Sequence, residues 1–330
     1  MVIPVLNEAR DLGRLLDELR DQAAVPGGVE VIVADGGSTD GTRDVVAARM
    51  GGWPDIRLVP NPGRRSSAGR NLGAQAARGD TIVFLDGHCR LLREDYLLRL
   101  AEVFEDSGAD CLCRPQPLDL IDDPGWPRAI AAARHSPLGH NPGSDIFGGD
   151  PGYTNPESAG AAYRREVFAH LGGFDERFDA CEDVEFNHRV GQAGFIAYRH
   201  PDLAVAYRPR DDPGALFRQM VRYGRGRAHL AARHPGMIPA PLVAVSVAVL
   251  VWLLGVLVWG GTWWALPLVY AGVCAVEGVR VAGSAEAWRT AAVFPMIHAG
   301  LLLGFWRGLL EAAYYRPEAS AVTGRVRVRA

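Results

Sequence analysis

Short apolar runs and amphipathic segments follow one another in turn along the first part of the chain. Apolar runs typical of buried strands lie at residues 2–6, 29–35, 56–60 and 81–86. Helices are predicted between them at residues 8–22, from about residue 42, and at residues 66–79 and 94–105. The first helix repeats leucine at positions 12, 15, 16 and 19, which is the spacing of one helix face.

This order of elements predicts an α/β fold with a mostly parallel sheet. Parallel strands that are apolar along their whole length are buried on both sides, so helices must cover both faces. Residues 115–155 break the pattern with proline, glycine and polar residues, apart from a helix predicted at 124–135. A segment this long without regular structure is more often functional than a passive connection. In open sheets, ligands bind at the carboxyl ends of the strands, so we expect the chemistry there.

The last third of the chain has a different pattern, with long apolar stretches. Residues 238–261 contain no ionisable side chain and exceed the length needed for a transmembrane helix. Two weaker apolar segments follow, at 264–282 and 291–310, and both contain ionisable residues. Each of them is compatible with a span, an interfacial helix or a re-entrant segment. The alternative for all three segments is a set of core helices in a second domain.

Arginines precede the first apolar segment, and this bias predicts the orientation. They stand at positions 218, 222, 225, 227 and 233. Positive charge flanking a span remains on the cytoplasmic side, so the preceding domain is predicted to face the cytoplasm. The C-terminal end is basic as well, which favours two spans plus one interfacial or re-entrant segment over three spans.

The overall composition argues against a nucleic-acid-binding protein. The 330 residues and 35.6 kDa allow one large domain with an appendage. The net charge of -3 lacks the basic excess of a nucleic-acid-binding protein, so no nucleic-acid partner is expected.

Residues 34–42 leave a buried strand, turn on glycines and enter a helix. Glycines allow a close approach of the backbone, the helix start offers unpaired N–H groups, and Asp35 can accept hydrogen bonds from a base or ribose. The segment lacks the spacing of a P-loop or of a dinucleotide-binding motif. It predicts a nucleotide site, and the alternative is an Asx-type turn in which Asp40 or Thr39 caps the helix.

Asp86, Gly87 and His88 end the apolar run at 81–86. In extended backbone, the two polar side chains would point to the same side and could approach one ion. A divalent cation that keeps diphosphate oxygens as ligands needs one or two protein groups, and oxygen donors favour Mg²⁺ or Mn²⁺. The alternative for His88 is direct contact with a phosphate.

Two further groups of residues are candidates for chemistry. Glu182, Asp183 and Glu185 stand at a predicted helix start, where one carboxylate could take a proton from an acceptor hydroxyl. The alternative is stabilisation of the helix dipole. Gln219, Arg222 and Tyr223 have the spacing of one helix face and could contact a diphosphate and an acceptor, or lipid headgroups.

The ordered set of motifs resembles the family 2 glycosyltransferases of GT-A fold, over nearly all of residues 1–230. The similar segments are PVLNE, ADGGSTDGT, the Arg70-Asn71 helix, FLDGH, GGFDE, CEDVEF and QMVRY. The chain is most similar to membrane-associated glucosyltransferases of the succinoglycan and exopolysaccharide type, which share the aspartate-glycine-histidine variant. The resemblance implies a catalytic domain at residues 1–235, membrane helices at 236–312 and a basic tail at 313–330.

The resemblance also implies roles for individual residues. The nucleotide diphosphate sugar, expected to be a UDP-hexose, would be held by Pro4, Glu8, Asp35, Arg70, Asp86 and Gly87. Asp86 and His88 would hold the metal. Asp183 would be the base, beside Glu182, and Gln219, Arg222 and Tyr223 would line the diphosphate and acceptor. His88 and Gly36 each replace an aspartate that is common in the family, which affects the expected metal and nucleotide contacts.

The expected reaction is transfer of a hexose, with inversion, to a lipid-linked or glycan acceptor in exopolysaccharide or envelope glycan synthesis. The expected location is a bacterial-type inner membrane with the catalytic domain on the cytoplasmic side. The alternatives are a polyprenyl-phosphate glycosyltransferase, a nucleotidyltransferase and a membrane scaffold without catalytic activity.

Overall fold

A computed structural model describes residues 1–118, 125–140, 145–158 and 160–316. Most of the predicted basic tail, residues 317–330, lies outside the described part. The chain divides into two compact units. The first, called here the sheet unit, comprises the described residues up to 118 and from 145 to 208. The second, the helical unit, comprises residues 125–140 and 209–316.

Strands and helices are numbered along the chain. The strands are β1 Val2–Val5, β2 Val31–Asp35, β3 Ile56–Pro60, β4 Thr81–Val83, β5 Cys89–Leu91, β6 Cys111–Cys113, β7 Gly152–Tyr153, β8 Gly160–Arg164, β9 Ala197–Arg199 and β10 Val205–Tyr207. The helices are α1 Ala9–Arg20, α2 Thr42–Met50, α3 Ser66–Ala76, α4 Tyr96–Ser107, α5 Trp126–His135, α6 Arg165–Leu171, α7 Glu182–Gln192, α8 Pro213–Arg233, α9 Ala240–Trp259 and α10 Ala265–Glu311.

The main sheet of the sheet unit is mostly parallel on its N-terminal side. β1, β2 and β3 pair in parallel, and a parallel bridge from Val2 to Phe84 joins β1 to the end of β4. The order then continues β4-β8-β6-β9-β7, in which β8 is antiparallel to both of its neighbours. β5 and β10 form a separate antiparallel pair. The predicted α/β class is confirmed, with β7 and β8 as antiparallel additions.

Two helices show how the sequence builds the core beside the sheet. Leucines 12, 15, 16 and 19 of α1 are all buried, as their spacing predicts. Helix α3 is rich in small residues because it approaches β1 closely. A Cβ atom added to Gly73 would lie 2.2 Å from Cγ1 of Val2, and one added to Gly69 would lie 3.1 Å from Cβ of Pro4. This contact fixes the depth of α3, which carries Arg70.

The helical unit contains α5, α8, α9 and α10. Two of its helices are long and apolar enough to cross a membrane by length and composition. They are α9 and the stretch Ala265–Tyr315, which contains α10. Helix α10 is interrupted at Gly283, whose φ of 70° and ψ of 176° are not helical. The predicted second and third apolar segments therefore form two helices, the two halves of α10, which meet at this kink and fold back on each other, since the hydroxyl of Tyr270 lies 2.6 Å from Nδ1 of His298.

The half of α10 after the kink packs against α8 through glycines. A Cβ atom at Gly304 would lie 2.0 Å from the carbonyl oxygen of Val221, and one at Gly300 would lie 2.7 Å from Cβ of Met220. On the facing helix, a Cβ atom at Gly224 would lie 2.0 Å from the carbonyl oxygen of Leu301. The two backbones touch because none of these positions carries a side chain.

Candidate active site

The carboxyl ends of β1, β2 and β4 lie at one edge of the main sheet. Glu8 follows β1, Asp35 ends β2, and Asp86 follows the residue that bridges to β1. Because these neighbouring strands are parallel, the topology brings the three carboxylates to the same end of the sheet. Pro4 lies beside them in β1, paired with Ala34.

The loops after β1 and β2 are tied to each other by side chains. The Asn7 amide donates a hydrogen bond to Oγ of Ser38, at 2.9 Å. In return, the Thr39 amide donates to Oδ1 of Asn7, also at 2.9 Å. The Glu8 amide donates to Oγ1 of Thr42 at 2.9 Å. Asn7 has a φ of 59°, a conformation that asparagine tolerates better than most residues. These bonds fix the backbone on which Glu8 stands.

The carboxylate of Asp35 caps its own turn. It accepts hydrogen bonds from the amides of Gly37, at 3.2 Å, and Ser38, at 3.1 Å, and the residue is 5% exposed. The alternative interpretation of this segment concerns a separate turn at the start of α2, where Oδ1 of Asp40 accepts from the Thr42 amide at 3.1 Å. Gly36 allows a close approach here, since a Cβ atom would lie 3.3 Å from the carbonyl oxygen of Arg64. The contact of Asp35 with a nucleoside stays a prediction.

Asp86, Gly87 and His88 form a tight turn, so the extended backbone predicted for them is wrong. The Cys89 amide donates to the carbonyl oxygen of Asp86 at 3.0 Å, which closes the turn. Nδ1 of His88 lies 3.0 Å from Oε1 of Glu8. A Cβ atom at Gly87 would lie 3.2 Å from Cγ of Glu8, so glycine leaves room for the glutamate. Glu8 thus orients the histidine, a contact that the sequence did not indicate.

Arg70 joins the strand-end turn to the start of α7. Its Nη2 donates to Oδ1 of Asp86 and its Nη1 donates to Oε1 of Glu182, both at 3.1 Å. The side chain is 11% exposed, and its guanidinium lies over the rings of Phe84, at 5.9 Å, and Phe174, at 5.5 Å. A single arginine therefore holds together the two acidic motifs that stand far apart in the sequence.

The charges around Arg70 do not balance. Asp86, Glu182 and Asp183 all interact electrostatically with this one guanidinium. Burial raises the pKa of Glu182, and although Arg70 lowers it, the repulsion from Asp183 helps to keep it at about 7. Burial acts to raise the pKa of Asp86 too, but Arg70 and His88 outweigh it and hold that pKa below its usual range. Arg114 is a second positive charge near Asp86, so the three carboxylates exceed the two arginines by one when Glu182 is ionised, and this surplus makes the site attractive to a cation.

The three predicted carboxylates at the start of α7 have different surroundings. Glu182 is buried against Arg70, whereas Asp183 is exposed. Glu185 is 1% exposed and pairs with Arg189 at 2.9 Å. The same arginine donates to the carbonyl oxygens of Leu171 and Gly173, so this pair supports the preceding loop. Among the three, Asp183 is the carboxylate with access to an acceptor from solvent.

The loop at residues 172–178 is held by α3. The amide group of Asn71 donates to the carbonyl oxygen of Phe174 at 2.9 Å, and its Oδ1 accepts from the Phe174 amide at 2.8 Å. Asn71 also donates to Oε1 of Glu176 at 2.9 Å. Arg70 and Asn71 are consecutive, so one turn of α3 organises both the charged centre and this loop.

Gln219, Arg222 and Tyr223 lie on α8, in the helical unit. Nε2 of Gln219 donates to the hydroxyl of Tyr223 at 3.1 Å, as expected for positions four apart on a helix. Gln219 is 5% exposed, and Arg222 is exposed. Their contacts with a diphosphate or an acceptor stay predictions.

Asp86 and His88, the possible ligands at the strand-end turn, suit a cation whose remaining ligands come from the substrate. Among the described residues, no group of three or more His, Cys, Asp and Glu side chains could hold a metal. Asp86 is 28% exposed and supplies a carboxylate, while Glu8 contacts Nδ1 of His88, so that Nε2 is the ring nitrogen that could bind a cation. Two such donors match a cation that is bound mainly by substrate phosphates.

The sequence matches known proteins along most of its length. The model of the family described as "Glycosyl transferase family 2" matches residues 1–172. The succinoglycan biosynthesis protein ExoA of Rhizobium meliloti is 34% identical over 320 residues, which are 94% of each chain. The N-acetylglucosaminyl-diphospho-decaprenol L-rhamnosyltransferase of Mycobacterium tuberculosis is 28% identical over 65% of this chain and 78% of its own.

The fold also has solved counterparts. The mannosyltransferase PcManGT from Pyrobaculum calidifontis, solved in complex with GDP-Man and Mn²⁺, superposes with a TM-score of 0.59. The superposition covers 94% of this chain and 86% of that one, at 20% identity. At this identity the likeness establishes the fold, and it confirms the predicted GT-A architecture.

Proposed function

This chain belongs to glycosyl transferase family 2, and from that premise we propose that it transfers a hexose from a nucleotide diphosphate sugar to a lipid-linked or glycan acceptor. The donor is a UDP-sugar, and the transfer inverts the anomeric carbon. The process served is exopolysaccharide or envelope glycan synthesis, as the name of the relative from Rhizobium meliloti suggests.

The contact of Arg70 with both Asp86 and Glu182 is the observation that carries this proposal. A displacement at the anomeric carbon needs negative charge to be stabilised where the diphosphate departs, and a base where the acceptor attacks. Asp86 stands at the first position, and Asp183 follows Glu182 at the second. Since one arginine connects the two motifs, both groups belong to a single site.

Asp183 is the proposed base. It takes the proton of an acceptor hydroxyl while that oxygen forms a bond to the anomeric carbon and the bond from that carbon to the diphosphate oxygen breaks. Its exposure permits this contact, whereas Glu182 is occupied by Arg70. Glu8, Asp35, Pro4 and Gly87 surround the nucleotide in this proposal.

Asp86 and His88 are the residues that would hold a divalent cation, Mg²⁺ or Mn²⁺. When bound, such a cation supplies positive charge to a departing diphosphate. The solved mannosyltransferase, which holds Mn²⁺ together with its sugar nucleotide, supports this assignment. Arg70 cannot neutralise the site by itself, because it faces three carboxylates.

We place the protein at a bacterial-type inner membrane, with the sheet unit at the cytoplasmic face. The apolar helices α9 and α10 support attachment, and the arginines of α8 support the orientation. A lipid-linked acceptor is supported by the rhamnosyltransferase relative, whose name specifies a decaprenol-linked sugar. Gln219, Arg222 and Tyr223 would contact the diphosphate and the acceptor.

The test is nucleotide release by the purified full chain in detergent. A panel of UDP-, GDP- and TDP-sugars is supplied with lipid extract and with Mg²⁺, Mn²⁺ or a chelator. We expect release from a UDP-hexose that needs a cation and falls by about 10²-fold or more in Asp86→Asn. The exposed Asp106→Asn is the matched control. Release at the wild-type rate by Asp86→Asn would contradict the assignment.

A further inference from the structure

A groove in the helical unit has a charged end and an apolar strip, called here the lane, which runs along Val269, Gly272, Val273 and Val276. Its volume is about 690 Å³, within the range of ligand sites. One wall is a face of α10 before the kink, and the other is the segment after α5. The lining residues are Pro137, Leu138, Val269, Gly272, Val273, Val276, Glu277 and Arg280.

The lane is open and apolar. Val269 is 64% exposed and Val276 is 71% exposed, although both lie in a stretch apolar enough to cross a membrane. From Val269 to Arg280 the helix rises by about 16 Å. A Cβ atom at Gly272 would meet nothing within 4 Å, so glycine widens the lane at its middle. The lane thus has the shape for one extended apolar chain.

The charged end is built by side chains from both walls. Arg280 donates to Glu277 through Nε and Nη2, both at 2.6 Å, and the hydroxyl of the buried Ser136 donates to the same carboxylate. Glu277 thereby orients the guanidinium, which remains 58% exposed. The pair lies in the last two turns before Gly283, so it places charge at one end of the apolar lane.

The second wall is fixed by a chain of hydrogen bonds. Nε2 of His298 lies 2.8 Å from the carbonyl oxygen of Leu138, and its Nδ1 lies 2.6 Å from the hydroxyl of Tyr270. Tyr270 and His298 stand on the two halves of α10, so both sides of the kink hold Leu138 in place. Hydrogen bonds thus fix the walls of this groove, which distinguishes it from the smooth lipid-facing surface of a membrane helix.

We propose that this groove binds the lipid part of the acceptor, a single-chain polyisoprenyl lipid with an anionic phosphate head. The apolar chain lies along Val269, Val273 and Val276, and the phosphate pairs with Arg280. A single lane suits a single-chain lipid better than a phospholipid with two acyl chains, and the widening at Gly272 accommodates methyl branches. This inference rests on the proposed function, whose acceptor it specifies.

The groove is tested by photo-labelling the full chain in detergent with a benzophenone-bearing isoprenyl monophosphate. We expect label on residues 265–282, displaced by undecaprenyl phosphate and not by phosphatidylglycerol. Gly272→Phe places a ring in the lane, at a position where a Cβ atom meets nothing within 4 Å, and should reduce the label by about tenfold or more. Arg280→Gln should weaken displacement by undecaprenyl phosphate and leave the uncharged alcohol, undecaprenol, unaffected. Ala275→Phe, exposed on the same helix outside the groove, is the control.

Two labelling outcomes would contradict the proposal that this groove binds the acceptor lipid. One is an unchanged label in Gly272→Phe, and the other is equal displacement by phosphatidylglycerol, which would indicate ordinary bilayer lipid. Nucleotide release from the sugar donor is measured in the same samples. If release fails in the wild type while the labelling pattern holds, the proposed function is wrong and the lipid site stands. If release in the presence of lipid extract persists in Gly272→Phe while the label is lost, the groove does not hold the acceptor lipid and the proposal is wrong, whereas the proposed function stands.

Discussion

The sheet unit and the helical unit differ in the kind of contact that stabilises each of them internally. Around the candidate active site, side chains tie one loop to another, as Arg70 does for Asp86 and Glu182. In the helical unit, α8 and α10 approach until their backbones touch, because Gly224 and Gly304 carry no side chain. The first kind of contact depends on charge and hydrogen-bond geometry, and the second depends on volume.

This difference determines which substitutions each unit tolerates. In the sheet unit, an isosteric change that removes a charge should alter chemistry and leave the packing intact. In the helical unit, a single methyl group at the α8–α10 contact should alter packing although no charge changes. The four predictions below compare the two cases, beginning with the largest expected effect.

Asp183→Asn removes a charge at an exposed position of the sheet unit. We expect turnover to fall by about 10²- to 10⁴-fold, which is the usual contribution of a general base, with donor affinity nearly unchanged. Turnover from steady-state kinetics and donor affinity from calorimetry separate the two effects. Unchanged turnover would exclude Asp183 as the base, and an equal loss of donor affinity would indicate a binding role.

Gly304→Ala adds one methyl group where the backbones of α8 and α10 touch. Because its Cβ atom would lie 2.0 Å from the carbonyl oxygen of Val221, the helices must separate, and we expect a loss of about 1–3 kcal/mol in stability. Thermal unfolding in detergent measures the loss. Gly236→Ala is the control, since a Cβ atom there meets nothing within 4 Å. Equal unfolding temperatures for the two variants would show that the contact is not tight.

The order of elements and the edge of the sheet that carries the site followed from the sequence. Apolar runs and leucine spacing predict β1, β2 and α1, and the rule on strand ends brings Glu8, Asp35 and Asp86 together. The pairing of Glu8 with His88 did not follow, because it depends on a turn at Gly87 that the pattern suggested was extended.

The contacts of Arg70 with Asp86 and Glu182 could not be predicted either, and its predicted contact with the nucleotide sugar stays a prediction. Its reach to Glu182 depends on how deeply α3 packs against β1, which Gly69 and Gly73 decide in three dimensions. The contact of α8 with α10 did have a signal in the sequence. Glycines recur at positions 300, 304 and 308, a spacing typical of close helix packing, although nothing in the spacing identifies the partner helix.

Asn71→Ala removes hydrogen bonds that hold the loop at residues 172–178. We expect a loss of about 1–2 kcal/mol in stability, since an amide and a carbonyl of Phe174 both lose their partner. Urea unfolding of the full chain in detergent measures it, with Gln75→Ala, exposed on the same helix, as the control. A loss no larger than that of the control would show that the loop is held by other contacts.

Glu182→Gln should produce a change that is visible only in the pH dependence of stability. The folded protein raises the pKa of Glu182 from 4.5 to about 7, chiefly by burial, so between these values the folded state binds a proton that the unfolded state has released. The stabilising contribution of protonated Glu182 is therefore complete below about pH 4.5 and is lost as the pH rises through about 7.

Glutamine keeps the shape of the side chain and cannot titrate, so the variant should lack this decline. Burial lowers the pKa of the N-terminal amine to about 6, which gives an opposite slope in part of the same range. That group is common to both proteins, so the difference between their unfolding free energies at each pH isolates Glu182. If the difference stays constant between pH 4.5 and 7, Arg70 neutralises Glu182 fully and the surplus negative charge inferred for the site is absent. A wild type that loses stability relative to the variant across that range instead shows a charge-dependent effect with no counterpart at the α8–α10 glycines.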